Sequence, residues 1–167
     1  MDKLDNQIVI NHLQEQFGEQ VRVLTESHGL LTVVTEASNI LDLLAFVKED
    51  ERLRFNYLTD ITAVHYPNDE RPFCVVYHVH NLLQNLRLRI KVFISGPIPT
   101  VPSATALWNG ANWMERETYD FFGIVFEGHP DLRRILNMDE LDVFPMRREY
   151  PLEDPNRVDK KDFYFGR

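Results

Sequence analysis

Leu86, Leu88, Ile90 and Val92 alternate with Arg87, Arg89 and Lys91. In a strand, where successive side chains point to opposite faces, that run sets an apolar face against a face of three cations. No helix sorts these residues in that way. A chain carrying such a segment must build a sheet with one side in a core and the other turned to solvent or a partner.

The surrounding pattern supplies the rest of the sheet. Phe73 to His80 reads as a second strand, and Phe55, Tyr57 and Ile61 open another, with Pro67-Asn68-Asp69-Glu70 as the turn between them. Upstream, Gln20 to Thr25 and Leu30 to Thr35 are short β-branched runs joined through Ser27-His28-Gly29, a hairpin signature. Two helices flank them. Leu4 to Phe17 carries Leu4, Ile8, Leu13 and Phe17 near helical spacing, with Gly18 placed to stop it. Ile40, Leu43, Leu44 and Val47 form one apolar stripe behind a predicted N-cap at Ser38. The order α-β-β-α-β-β-β predicts an α+β fold with a mixed or antiparallel sheet and flanking helices.

Ser95 to Ser103 holds three prolines and a glycine, so it is neither helix nor central strand. It divides the chain into an α+β domain at 1–94, a Pro-rich connector at 95–104, and a remainder at 105–167. Ser103 or Thr105 is a predicted cap for a helix through Ala106 to Phe122, closed by Gly123. Beyond Gly123 the sequence is polar, Pro-punctuated and aperiodic to its end, longer than the ~12–15 residues of an ordinary loop. An extended arm that finishes folding against another surface is expected.

Composition removes several classes of function. Cys74 is the one cysteine, which excludes an internal disulfide framework, a thiolate-ligated iron–sulfur cluster and a Cys-rich zinc site. No nucleotide-binding glycine motif is present. A formal charge of −8 argues against nucleic acid. The longest apolar runs, such as Leu43 to Val47, fall far short of the ~20 residues of a membrane helix, and the N-terminus lacks a secretory pattern. Contact with a membrane is therefore expected only through a partner.

Residues able to carry chemistry cluster after the connector. Glu115 and Glu117 lie two apart, about 200° around a helix, and make a poor acid/base pair. Arg116 and Asp120, at i and i+4, are placed for an ion pair. Asp120 sits near a helix C-terminus, where a carboxylate needs a cationic partner. His129 precedes Pro130 and is held extended, with Asp131 a candidate N-cap or orienting carboxylate. The doublets Arg133-Arg134 and Arg147-Arg148 suit bidentate binding of carboxylates on an acidic surface. This helix reads either as a polar interface or as a surface helix with ordinary salt bridges. His78 and His80 share a strand face, with His65 as a candidate third metal ligand, although each reads more simply as a sheet residue.

The run from Glu115 through Arg116, Glu117, Asp120, Phe122, Gly123, Gly128, His129, Pro130, Arg133 and Arg134 to Leu136 closely resembles a family signature. The family is the thirty-kilodalton subunit (the C subunit) of respiratory complex I, the proton-pumping NADH:quinone oxidoreductase. The departure is Phe121, where Met or Leu is usual. Pro145-Met146-Arg147-Arg148-Glu149-Tyr150-Pro151-Leu152 is similar to a second family motif, with charge-preserving changes at Arg148 and Glu149. The resemblance spans about 30 to 155 and is strongest after Ser95. It implies a peripheral-arm subunit that scaffolds the quinone-reducing module and packs against the forty-nine-kilodalton subunit and neighbouring cluster-carrying subunits. It implies no catalytic, cofactor or metal site in this chain, with FMN and iron–sulfur clusters on other subunits. It also implies a hetero-oligomer on the cytoplasmic face of the bacterial cell membrane. Because the sequence stops at Arg167, a free-standing subunit is expected rather than one fused to the forty-nine-kilodalton chain. The alternatives are the equivalent scaffold of a membrane-bound hydrogenase or of a ferredoxin- or F420-dependent oxidoreductase, a small hydrolase using His129, and a metal-binding module using His65, His78 and His80.

Overall fold

A computed structural model describes residues 4–27 and 29–150. The predicted turn residue His28, Pro151 and Leu152 of the second motif and the final tail lie outside the described residues.

The chain runs α1 (Asn6–Phe17), β1 (Val21–Ser27), β2 (Leu30–Thr35), α2 (Ile40–Glu49), β3 (Tyr57–His65), β4 (Phe73–Asn81), β5 (Leu86–Ile94), β6 (Thr100–Pro102), α3 (Ala111–Phe122) and β7 (Val125–Glu127). The five long strands form one mixed sheet in the order β1-β2-β5-β4-β3. Its pairs are antiparallel except β2–β5, which is parallel. α2, β3 and β4 intervene in sequence between those parallel neighbours, as parallel pairing requires a long crossover. The α+β class with a mixed sheet and flanking helices agrees with the expectation drawn from the order of predicted elements.

Register decides the core. Leu31 and Val33 of β2, Leu88, Ile90 and Val92 of β5, Val75, Tyr77 and Val79 of β4, and Ile61 and Ala63 of β3 share one face through direct cross-strand pairing. They join one apolar cluster with Val9 and Leu13 of α1, Ile40, Leu43, Leu44 and Val47 of α2, and Ala111 and Phe122 of α3. Each fully buried aliphatic chain contributes ~1.5–3 kcal/mol of transfer free energy. On the opposite face Arg87, Arg89 and Lys91 pair in register with His80, His78 and Val76.

Three local predictions shift. α1 starts at Asn6 because the Asp5 carboxylate accepts the Ile8 amide at 2.9 Å, a better cap than the Leu4 start supplies. α2 is entered through Asn39 rather than Ser38, whose hydroxyl reaches the Asn39 side chain at 3.2 Å inside a short 3-10 turn. α3 begins at Ala111, not Ala106. The Leu107 and Trp108 amides both turn back to the Ala104 carbonyl at 3.0 Å, so this stretch closes as a turn before the helix.

The Pro-rich stretch contains β6, which runs parallel to β7 in a two-stranded ribbon. The Val125 amide donates to the Pro99 carbonyl and the Ser103 amide to Glu127, both at 2.8 Å. Val101, Ala104, Ile124 and Phe126 from this ribbon and its flanks reach the same apolar cluster as the sheet.

Candidate partner interface

α3 carries a polar run on a helix that packs on the sheet, and its buried polar groups do two jobs. The first ties the helix to the ribbon. Glu115 is fully buried, and its carboxylate accepts the Ser103 hydroxyl and the Ala104 amide, both at 2.6 Å. Burial pushes its pKa up to about 7, while those two hydrogen bonds pull the other way. The neighbouring Tyr77 hydroxyl is buried without a hydrogen-bond partner among the described residues, and burial followed by the Glu115 charge drives its pKa upward.

The second job is to hold the following segment, residues 128–150. Asp120 is fully buried. Its Oδ2 accepts the backbone amides of Ile135, Leu136 and Asn137 at 3.0, 2.8 and 2.9 Å. Its Oδ1 accepts Arg134 Nη1 at 2.8 Å and Asn137 Nδ2 at 3.0 Å. Burial alone raises a carboxylate pKa, but the Asn137, Leu136, Arg134 and Ile135 donors outweigh it and hold Asp120 well below the usual range. Three successive amides converging on one oxygen form a nest for an anion, here supplied by the chain itself.

The cationic partner of Asp120 is therefore Arg134, and the expected Arg116–Asp120 pair does not form. Arg116 points instead to the carbonyls of Arg133 and Arg134 at 3.2 and 3.1 Å and lies over the Trp113 ring. Five donors already fill the Asp120 carboxylate, and a guanidinium is satisfied by carbonyls as well as by carboxylates. Arg134 also donates to the Leu141 and Val143 carbonyls at 2.6 and 3.1 Å. Arg147 donates to the Phe122 carbonyl at 2.7 Å and sits between the Phe73 and Phe144 rings. The arginine doublets thus split. Arg134 and Arg147 turn inward, while the Arg133 side chain is 70% exposed and pairs with the Asp131 carboxylate, and Arg148 is exposed.

Gly123 closes α3 with φ +71, and a Cβ there would stand 2.5 Å from the Phe144 ring and 2.6 Å from Arg147 Nη2. Both the left-handed backbone and the lack of a side chain are needed for the segment to fold back across the helix end. Gly128 adopts φ +83 in open space. Phe122 is buried in the core cluster, whereas Glu117 and Pro130 are exposed.

His129 does not stand as a base with an orienting carboxylate. Its Nδ1 accepts the Asp131 amide at 3.0 Å and its Nε2 donates to the Asn112 carbonyl at 3.1 Å, so both ring nitrogens hold backbone. The Asp131 carboxylate goes to Arg133 at 2.8 Å, and no helix follows it among the described residues. The three strand histidines do not converge either. His65 pairs across from Phe73 and stacks on it, on the face opposite His78 and His80. Its Nδ1 accepts the Arg148 amide, His78 accepts from Arg89 at 2.9 Å, and His80 meets Asn85 at 3.2 Å.

Around this folded-back segment large apolar side chains stand outward among charged ones such as Asp139, Glu140 and Arg148. Trp113, Leu136, Met138, Met146 and Tyr150 are large and exposed, Met138 to 71%. An irregular segment held rigidly from beneath and presenting such side chains is suited to a protein partner.

Sequence reasoning gave no indication of the Ser103–Glu115 link or of Phe144 and Asn137 as parts of the lock. These are contacts across loops, to which spacing along the chain is blind.

Comparisons with known proteins agree in kind. A family model described as respiratory-chain NADH dehydrogenase, 30 Kd subunit, matches residues 33–156. The C subunit of NADH-quinone oxidoreductase from Citrifermentans bemidjiense is 42% identical over 92% of this chain and 94% of that protein. The corresponding subunit from Geotalea uraniireducens is 39% identical over 93% and 94%. Among solved structures, a trypsin-resistant fragment of Nqo5 is 33% identical with a TM-score of 0.66, covering 74% of this chain and 98% of the fragment. A chain of the archaeal membrane-bound sulfane sulfur reductase shares the fold at a TM-score of 0.75 and 21% identity, covering 93% of this chain and 96% of that one.

Proposed function

Because this chain belongs to the family of the respiratory-chain NADH dehydrogenase 30 Kd subunit, we propose that it is a non-catalytic scaffold of the peripheral arm of NADH:quinone oxidoreductase. It braces the quinone-reducing module beside the forty-nine-kilodalton subunit and the neighbouring cluster-carrying subunits. The flavin and clusters belong to those other chains, and this one supplies fixed spacing between them. The complex holds it at the cytoplasmic face of the membrane. Among the described residues no helix is long and apolar enough to cross a membrane.

The observation that carries this reading is the Asp120 lock. A buried carboxylate with five donors fixes residues 135–137 on α3, while Leu136 and Met138 on the same stretch face outward. Such a surface is organised before docking, which lowers the ordering cost of association. The engagement of both His129 nitrogens by backbone speaks against His129 as a general base.

The test is mass spectrometry of what stays bound to a tagged full-length chain after mild detergent extraction. The reading requires the forty-nine-kilodalton subunit and an NADH-oxidising flavin subunit. Recovery with hydrogenase-type subunits and no flavin subunit reassigns the complex. Recovery of the chain alone refutes the scaffold.

A further inference from the structure

All three helices contribute to the apolar cluster on one face of the five-stranded sheet, and none of the described helices contributes to the other. That second face is not simply polar. Val34, Cys74 and Val76 lie on it and are nearly or fully buried, yet stand outside the core cluster. Register sets Val34 between Arg22 and Lys91 and Val76 opposite Lys91, positions where long cationic stems can lie along apolar surface.

The cations are arrayed by register. Arg22 and Lys91 both pair with Val34, on opposite sides of β2, so the two flank one valine. Lys91, Arg89 and Arg87 follow at alternate positions of β5, about 6.8 Å apart along the strand. Arg89 gives its Nε proton to His78 at 2.9 Å. Among the described residues none of Arg22, Arg87, Arg89 and Lys91 forms an ion pair with a carboxylate. Asp60, across from His78, is the carboxylate on the neighbouring β3 position and sits 3.8 Å from the His78 ring. The His78 pKa is lowered first by burial, then by Arg89, with Arg87 and Lys91 adding to it and Asp60 opposing. This positive face belongs to a chain of net charge −8.

We infer that this sheet face is a second docking surface, separate from the α3 segment, and that its occupant is an acidic polypeptide segment of a neighbouring subunit. The spacing selects that chemistry. Four cations spread along a strand and across one neighbour do not converge on a point, as a phosphate site demands. They match carboxylates repeated along an extended or helical segment. Unpaired guanidinium and ammonium groups set over buried valines also offer what an interface rewards: charge complementarity above a dry base. The inference rests on the scaffold reading in assuming that neighbouring subunits are present.

Lys91 is the amine on this face, so a carbodiimide, which joins an amine to a carboxylate without a spacer, reports the contact directly. The experiment treats the complex purified through the tagged full-length chain and maps the linked peptides. The expected result is an amide bond between Lys91 and an Asp or Glu of another subunit. In the triple variant Arg87→Glu, Arg89→Glu, Lys91→Glu, retention of that subunit in rising salt weakens by roughly tenfold or more, while circular dichroism shows the variant chain still folded. A Lys91 link only to carboxylates of its own chain overturns the inference. So does no Lys91 link while other lysines of the chain couple to neighbours. Binding of the wild-type chain, and not the triple variant, to vesicles rich in phosphatidylglycerol with no Lys91 link in the complex reassigns the face to a lipid surface. In each of these cases the scaffold reading survives. A chain that purifies without partners refutes both.

Discussion

Replacing Asp120 by Ala removes the acceptor of five hydrogen bonds and leaves the Arg134 guanidinium, whose side chain is 10% exposed, with carbonyl partners but no counter-charge. Removing one partner of a buried ion pair costs about 3–5 kcal/mol. The three amides on Oδ2 add little beyond this, because Leu136 is exposed and water reaches the gap once the carboxylate is gone. The loss is local, since the core of α1, α2 and the sheet makes no use of Asp120. Hydrogen exchange at Ile135, Leu136 and Asn137 should therefore accelerate about a hundredfold or more, while the amides of β4 and β5 keep their protection. Acid acts in the same direction. The folded-state pKa of Asp120 lies below the ~3.9 of an unfolded Asp, so its stabilisation is fully present above that value and disappears as pH falls through the depressed one. Exchange at 135–137 that changes by less than about threefold in Asp120→Ala would show that the lock holds nothing.

Glu115 carries the opposite sign. Its folded pKa of about 7 exceeds the ~4.3 of an unfolded Glu, so its contribution is present below ~4.3 and is lost as pH rises toward 7. Glu115→Gln should flatten that slope in urea titrations run from pH 4 to 8 and stabilise the chain at pH 8. Tyr77→Phe removes a buried hydroxyl without a partner and should be neutral or stabilising by about 1 kcal/mol in thermal melts. Gly123→Ala combines left-handed strain with a 2.5 Å approach to Phe144, and a loss of at least ~1–2 kcal/mol with faster proteolysis after residue 123 is expected. Arg133→Ala breaks one exposed ion pair, so the melting temperature should hold within the effect of ~0–1 kcal/mol while recovery of the assembled complex falls.

The sheet was legible because period two is a geometric property of strands, and Leu86–Val92 displays it without ambiguity. The parallel β2–β5 pairing was not, since nothing in Leu30–Thr35 states which strand lies beside it. At the candidate interface, the need of Asp120 for a cation was readable from its place at the helix end. The identity of that cation was not, because Arg134 lies fourteen residues on and Arg116 only four back. The arginine doublets advertised an acidic partner, yet one member of each turns inward to carbonyls and aromatic rings. Residues 128–150 looked unstructured for lack of periodicity, but side-chain bonds to backbone order them without any helix or strand. Periodicity detects repeating backbone geometry and says nothing of such bonds.

The central claim is that this chain positions the redox subunits and takes no part in their chemistry. Its most direct test is NADH:quinone turnover divided by the quantity of assembled complex in membranes carrying Leu136→Asp and Met138→Asp, both on exposed positions. The account predicts that assembled complex declines severalfold while turnover per complex matches wild type. Full assembly with diminished turnover per complex would contradict it.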